Sequence, residues 1–256
     1  MTDAVALLLG DLRAWQFVLV LAAAFSTSIF HTMSGFAGGV LLSFLIAPLL
    51  GVEAVIPVLA VALTISATSR AWAFRRDVDW RVLATIMAPA TPAIVAGSLV
   101  YTLMPIAAIS IVLGVFLLAT VMLRRPLRQG SQGVGTFGLG LAGAAFGALS
   151  GITIGAGMIL APFLMGRGLV RERFAAVFAC IALLLNATKS TVFLATATLD
   201  AHLVTLGVAI GLCTIPGTWL GYELLMRTSV RVHTAFVEAL IVIGGVGFVW
   251  YGLAAI

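Results

Sequence analysis

The sequence predicts an all-α polytopic membrane protein made of two inverted repeats, each a glycine-broken re-entrant helical hairpin followed by three transmembrane helices. Of its 256 residues, 62% are hydrophobic and only 9% are charged, whereas soluble domains carry about 25% charged residues. So few charges cannot cover a water-facing surface, so the chain must face lipid. Within lipid the backbone must bond internally, and long unbroken apolar runs favour helices over barrel strands.

Eight apolar stretches follow one another along the chain. Six of them are about 18–26 residues long, the length of one membrane crossing. The first and fifth contain 36 and 31 residues, which as continuous helix would measure about 54 and 46 Å, against a hydrocarbon core of about 30 Å. The stretches are Trp15–Leu50, Ala54–Ala73, Val82–Leu103, Ile106–Leu123, Thr136–Gly166, Phe174–Leu199, Leu203–Leu225 and Val232–Ala254.

Glycine clusters interrupt both long stretches, at residues 34–39 and 150–157. Because glycine tolerates the backbone angles at which a helix breaks or reverses, each long stretch is predicted to form two short helices that meet at a tip. The alternative is that these glycines only allow close packing between helices.

Paired features indicate an internal repeat. We expect an N-terminal segment at 1–14, a first repeat at 15–124, a linker at 125–135 and a second repeat at 136–256. The paired features lie 118, 121 and 124 residues apart: the glycine clusters, Asp79 with Asp200, and the Pro92-x4-Gly97 motif with Pro216-x4-Gly221. Asp79 and Asp200 are predicted to have structural roles at membrane boundaries.

Arginine positions give the topology, because arginine-rich loops stay cytoplasmic. If all eight stretches crossed the membrane, the loops at Arg75 and Arg167 would lie on opposite sides. If the two broken stretches are hairpins, every arginine-rich loop is cytoplasmic and both termini are external. Three crossings per repeat then invert the second repeat relative to the first. The arginine-rich loops are residues 75–81, 124–128, 167–173 and 227–231.

Lys189 is the only lysine and is predicted to lie near the bilayer centre, with Asn186 one turn earlier. A charge at that depth is a functional-site hypothesis, since burial there costs at least about 2.5–3.5 kcal/mol. The two side chains form a cationic and amide patch suited to an anion. The alternative is a structural ion pair between Lys189 and Glu238.

The predicted hairpin tips supply further candidate substrate-binding groups. Helices that begin at the tips would present free N–H groups and positive dipole ends, which favour anions. Hydroxyls at the tips would add donors, unless they only cap helices and join neighbours. The tip candidates are His31, Thr32, Ser34, Gly38, Gly39, Ser150, Thr153, Gly155 and Gly157.

Three other ionisable residues are candidates with competing explanations. Arg70 is a candidate for the anion pathway, although snorkelling to the interface also accounts for it. Glu238 and His31 are candidates for proton coupling, although His31 alone is more typical of a satisfied polar residue. Cys180 and Cys213 are expected to be packing residues, and the histidines show no metal-ligand spacing.

The chain resembles the sulfite exporter TauE/SafE family of bacterial membrane transporters over nearly its whole length. That family shows a glycine triplet followed by an apolar run and proline in each half, with an Asp-Trp-like turn after the next span. Here the matching residues are Gly38-Gly39, Gly155-Ala156-Gly157, Pro162, Val78-Asp79-Trp80 and Leu199-Asp200. Ala37 and Ala156 interrupt the triplets, and Phe44 replaces the first proline. The resemblance implies transport of sulfite or organosulfonates across the bacterial inner membrane, and it alone favours export.

We therefore expect a multi-pass secondary transporter of small anions, with no cofactor, metal or nucleic-acid partner. The expected partners are the anion and the bilayer, and self-association is left open. An anion channel, or a transporter of another small carboxylate or sulfur anion, would use the same residues. An assembly factor without transport is less favoured. An intramembrane enzyme is disfavoured because neither a His–Glu–His zinc spacing nor a Ser/His/Asp set is present.

Overall fold

The fold is helical throughout the part that a computed structural model describes, residues 12–34, 37–130, 134–169, 171–225 and 230–254. Ten α-helices and one short 3-10 turn, Arg75–Asp77, lie within these ranges. The helices are α1 Ala14–Ser34, α2 Ala37–Leu50, α3 Val52–Ala73, α4 Trp80–Leu103, α5 Ile106–Gly130, α6 Thr136–Ile152, α7 Gly157–Gly166, α8 Arg171–Ala195, α9 Ala201–Leu225 and α10 Val230–Ala254.

Four of these helices are long and apolar enough to cross a bilayer: α3, α4, α8 and α9. They confirm four of the six predicted single crossings. Both α5 and α10 contribute shorter apolar segments, Ile106–Ala119 and Val242–Ala254. α5 also continues to Gly130, into the segment predicted as a linker.

Both long stretches break at their glycine clusters, as predicted. After the first break α2 folds back along α1, so closely that a Cβ at Gly38 would overlap His31 Cβ and the Thr27 carbonyl. In the second, the Arg167 guanidinium just beyond α7 donates a 2.9 Å hydrogen bond to Thr136 Oγ1 at the start of α6. Since both ends of that segment lie together, it forms a hairpin.

Two faces of the molecule are defined by contacts between loops. Arg76, in the turn after α3, and Arg81, in the first turn of α4, share a surface cavity with Arg173 at the start of α8. At the other end of α3, the Tyr101 hydroxyl donates a 2.9 Å hydrogen bond to the Glu53 carbonyl. Eight crossings would place the first group of arginines and Arg173 on opposite faces, so the structure contradicts that alternative.

Each hairpin packs on a helix from the other half of the chain. α6 runs parallel to α4, and α1 runs parallel to α9, with Cys213 Sγ 3.4 Å from the Leu21 carbonyl oxygen. Glycines allow these close approaches, so close packing explains several glycines, including Gly151 in the second cluster. The paired positions are Gly143 with Ile86, Gly147 with Ala90, Gly151 with Gly97, and Gly217 with Phe25 and Ser28.

The two hairpin tips meet in the centre of the molecule. A Cβ at Gly39 would lie 3.3 Å from Ile154 Cγ2, and one at Gly155 would lie 2.6 Å from Val40 Cγ2. α3 and α8 pack against each other beside the tips. The centre is therefore built from both hairpins and the first long helix of each half.

Asp79 and Asp200 each cap the start of a helix, which confirms the structural role predicted for them. Asp79 Oδ1 accepts hydrogen bonds of 3.1 Å from the backbone N–H groups of Arg81 and Val82, at the start of α4. Asp200 Oδ1 accepts one of 2.8 Å from the N–H of Leu203, in the first turn of α9. Both carboxylates satisfy N–H groups that would otherwise be unbonded at a helix start.

Candidate functional site

A cavity of about 70 Å³ lies where the hairpin tips meet α3 and α8. Its volume is several times the roughly 10–15 Å³ that one water requires, so it has room for a small anion. Apolar walls come from Leu63, Phe146, Phe178, Ile181 and Leu185. Nine of the predicted site residues also line it: His31, Gly39, Arg70, Ser150, Thr153, Gly155, Gly157, Asn186 and Lys189.

The other predicted residues do not line this cavity in the described part of the chain. Gly38 is buried and lines a smaller adjoining space of about 10 Å³, which also contacts His31. The side chains of Thr32, Ser34 and Glu238 lie outside the described residues. Whether Glu238 pairs with Lys189 therefore stays untested.

Lys189 is 3% exposed and contacts the end of α6. Its Nζ donates hydrogen bonds of 2.8 Å to the Ser150 carbonyl and 3.1 Å to the Thr153 carbonyl. These carbonyls lie at the end of α6, where the partial charge of the helix dipole is negative. The ammonium thus stabilises the broken end of a helix, and one of its three N–H groups remains for another acceptor.

Asn186 lies one turn before Lys189 and is also buried. Its Nδ2 donates a 2.8 Å hydrogen bond to the Ala182 carbonyl on the same helix. An amide nitrogen carries two hydrogens, so one N–H is left for a group in the cavity.

Arg70 is placed in the last turn of α3, where its side chain lines the cavity. Its Nε is buried and has no hydrogen-bond partner, and the guanidinium makes no ion pair with any residue that the structure describes. Arg70 as a whole is half-buried. Its position places a cation without a described partner beside the hairpin tips.

Ser150 and His31 each bring an unsatisfied polar atom to the cavity. Ser150 Oγ and His31 Nδ1 are buried and have no hydrogen-bond partner in the described structure. The prediction of a satisfied His31 is therefore wrong for Nδ1. Thr153 differs, because its hydroxyl donates a 2.7 Å hydrogen bond to the Leu149 carbonyl. Its oxygen can then only accept, so Thr153 does not supply the donor predicted for it.

The start of α7 forms one wall of the cavity. Gly155 turns the chain with φ +88°, an angle that glycine adopts without steric cost. The following residue, Ala156, has no side-chain cap, and the N–H groups of Ala156 and Gly157 reach no acceptor among the described residues. Free N–H groups and the positive dipole end favour an anion at such a terminus.

Comparison with known proteins gives one family. The model of the family described as sulfite exporter TauE/SafE matches residues 20–248. The chain belongs to this family. It matched none of the curated proteins and none of the solved structures with which it was compared. Membership in the TauE/SafE family, together with the apolar helices, indicates a membrane transporter of sulfur-containing anions and is consistent with a protein that is not an enzyme.

The central cavity of this TauE/SafE chain has two basic residues, Arg70 and Lys189, and no carboxylate among the described residues that line it. Arg70, the free N–H groups of α7 and the Ser150 hydroxyl all offer donors. A cavity with this donor set can hold an anion but has few groups that would attract a cation. The apolar walls, Phe146 and Phe178 among them, were not singled out from the sequence, because nothing distinguishes them from other aromatics on apolar helices.

Proposed function

We propose that this protein is a secondary transporter that moves small anions, sulfite or organosulfonates, out across the bacterial inner membrane. The observation that carries the proposal is the central cavity, which contains Arg70 and Lys189 but no acidic residue among its described lining. The direction of transport comes only from the character of the family.

The charge of the cavity supports an anion as its occupant. Burying a cation in a membrane protein is costly, and such residues are kept where they pair or mark a substrate path. Lys189 is compensated by carbonyls of α6, but Arg70 has no partner in the described structure. An oxyanion in the cavity would supply the missing negative charge and would accept hydrogen bonds from Ser150 and the α7 terminus.

The proposal includes alternating access between inverted repeats. The contacts of one half have counterparts in the other. The hairpin helix α6 of the second half packs on α4 of the first, the hairpin helix α1 of the first half packs on α9 of the second, and α3 packs on α8. The capping roles of Asp79 and Asp200 correspond in the same way. Inverted repeats with broken helices around a central site are typical of secondary transporters, and a channel would not need them.

His31 remains our candidate for proton coupling, with Glu238 as the alternative. The unpartnered Nδ1 of His31 is in the lining of the cavity, where a proton on it would add to the positive charge around an anion. A coupled transporter would then show faster anion flux when a pH gradient is imposed, and His31→Gln would remove that response.

The decisive experiment measures the uptake of sulfite, methanesulfonate, sulfate and chloride into proteoliposomes, with and without a pH gradient. We expect saturable sulfite or sulfonate flux and counterflow, both lost in Arg70→Gln. Arg75→Gln is the matched control, because Arg75 is exposed and stacks on Trp72 outside the cavity. Flux that never saturates and shows no counterflow would mean a channel, and no anion flux at all would refute the proposal.

A further inference from the structure

Two cations in the central cavity occupy corresponding places in the two halves of the chain. Arg70 lies on α3 and Lys189 on α8, and these helices pack against each other. The two residues are 119 positions apart, which is within the 118–121 residue offset of the features that flank them. Each half therefore contributes one cation from the helix that follows its hairpin, α3 or α8.

Their contacts differ, although their places correspond. Lys189 Nζ already donates to the Ser150 and Thr153 carbonyls, at 2.8 and 3.1 Å. The Arg70 guanidinium makes no hydrogen bond or ion pair with any described residue, and its Nε is buried. The two cations are thus not equivalent in this conformation.

We propose that Arg70 is the cation that contacts the transported anion in this conformation, while Lys189 is a positioning residue that holds the end of α6 at the break. This assignment rests on the proposed anion transport. Under this assignment the Arg70 guanidinium recognises the substrate, and the Lys189 ammonium stabilises the second hairpin.

Hydrogen-bond accounting favours this division. The carbonyls of Ser150 and Thr153 follow the last helical bonds of α6, and a buried carbonyl without a partner is costly. If Lys189 turned to the anion with all its donors, it would leave both carbonyls unsatisfied. Arg70 has no such obligation, and its planar guanidinium presents parallel N–H groups that match two oxygens of an oxyanion.

The geometry around Arg70 also fits an oxyanion. Ser150 Oγ and the free N–H groups at the start of α7 line the same cavity and lack partners among the described residues. These groups can donate to further oxygens of an anion that Arg70 holds. Lys189 then acts on the substrate mainly through its charge and through the position of Ser150.

The test compares Arg70→Lys, Arg70→Gln, Lys189→Arg and Lys189→Gln in sulfite flux, and measures backbone hydrogen exchange at residues 150–157 without any anion. We expect Arg70→Gln to raise KM about 10- to 100-fold, the loss typical of a charged hydrogen-bond partner, and to leave exchange at 150–157 unchanged. Arg70→Lys should restore KM only in part, because an ammonium cannot bond in the bidentate manner.

Lys189→Gln should behave differently. It should accelerate backbone hydrogen exchange at residues 150–157 and lower kcat. It should also raise KM, but at least about fivefold less than Arg70→Gln does. Lys189→Arg should restore slow exchange, because a guanidinium can donate to the same two carbonyls. Arg75→Gln is the control and should change neither quantity.

Two results would overturn the assignment. One is a KM for Lys189→Gln raised as far as that of Arg70→Gln with exchange at 150–157 unaltered. The other is an unchanged KM in Arg70→Gln. If a glutamine variant fails to fold, the conservative variants still decide, since Arg70→Lys should raise KM further than Lys189→Arg does. If wild-type protein transports no anion, the proposed function fails, whereas exchange in anion-free Lys189→Gln still tests the contact with α6.

Discussion

Gly155→Ala should destabilise the protein through two separable effects at the tip of the second hairpin. Gly155 has φ +88°, and an L-residue held in the left-handed region costs about 1–2 kcal/mol. In addition, the new Cβ would lie 2.6 Å from Val40 Cγ2 on the first hairpin. Overpacking of this kind costs about 1–3 kcal/mol, so the expected total is about 2–5 kcal/mol.

Gly168→Ala is the matched control. Gly168 has φ +80°, but nothing lies within 4 Å of a Cβ placed there. It should therefore carry only the backbone cost of about 1–2 kcal/mol. The difference between the two variants isolates the contact between the hairpin tips.

Thermal unfolding in detergent measures this difference, with a change of about 2–4 °C in Tm per kcal/mol for a chain near this size. Introducing Gly155→Ala into Val40→Ala protein should remove the overlap, so that the remaining loss matches that of Gly168→Ala. Equal destabilisation by Gly155→Ala and Gly168→Ala in the otherwise wild-type protein would show that the tips do not touch, and would refute the reasoning about the cavity between them.

Three further predictions concern topology, capping and packing. In a variant without the native cysteines, single cysteines introduced at Arg75 and Arg173 should be labelled from one side of the membrane. A cysteine introduced at Asp200 should be labelled from the other side. Labelling of the first two positions from opposite sides would contradict the hairpins. Asp79→Ala and Asp200→Ala should each cost about 0.5–2 kcal/mol of stability, similar in Tm because both carboxylates cap α-helix starts, and a cost at one alone would argue against equivalent roles. Gly147→Val should abolish correctly folded protein in size-exclusion profiles, because even a Cβ would overlap the Ala90 backbone; a normal profile would contradict the close packing of α4 and α6.

The broken helices and the loops could be predicted from the sequence because their signals are local. Apolar length against bilayer thickness required breaks in two stretches, and glycine clusters supplied the places for them. Arginine positions then selected the hairpins over eight crossings. The structure has Arg76 and Arg173 on one face, in agreement with that selection.

The assignment of cations within the site could not be predicted, because it depends on partners distant in sequence. Lys189 bonds to backbone carbonyls 39 and 36 residues away, and carbonyls leave no mark in a sequence. Glu238 was the plausible partner only because it is the other deep charge. Snorkelling competed with a substrate role for Arg70 because this residue lies near a helix end, and only the packing of α3 beside the tips places its side chain in the lining of the cavity.

The two hydroxyls at the second tip illustrate the same limit. Ser150 and Thr153 were predicted together as donors, since both flank the same glycine cluster. In the structure the Thr153 hydroxyl bonds to the Leu149 carbonyl, while Ser150 Oγ has no described partner. The backbone conformation at the break decides between them, and residue type alone does not.

The packing of each hairpin on the opposite half has a consequence for biosynthesis. The sulfur of Cys213 meets the carbonyl of Leu21, a contact that spans 192 residues of chain. During translation α1 enters the membrane long before α9 has been made, so its glycine-matched surface has no permanent neighbour until the last quarter of the polypeptide emerges. Either half expressed alone would lack the helix on which its hairpin packs. The central cavity, which both hairpins line, should therefore form only at the final stage of assembly.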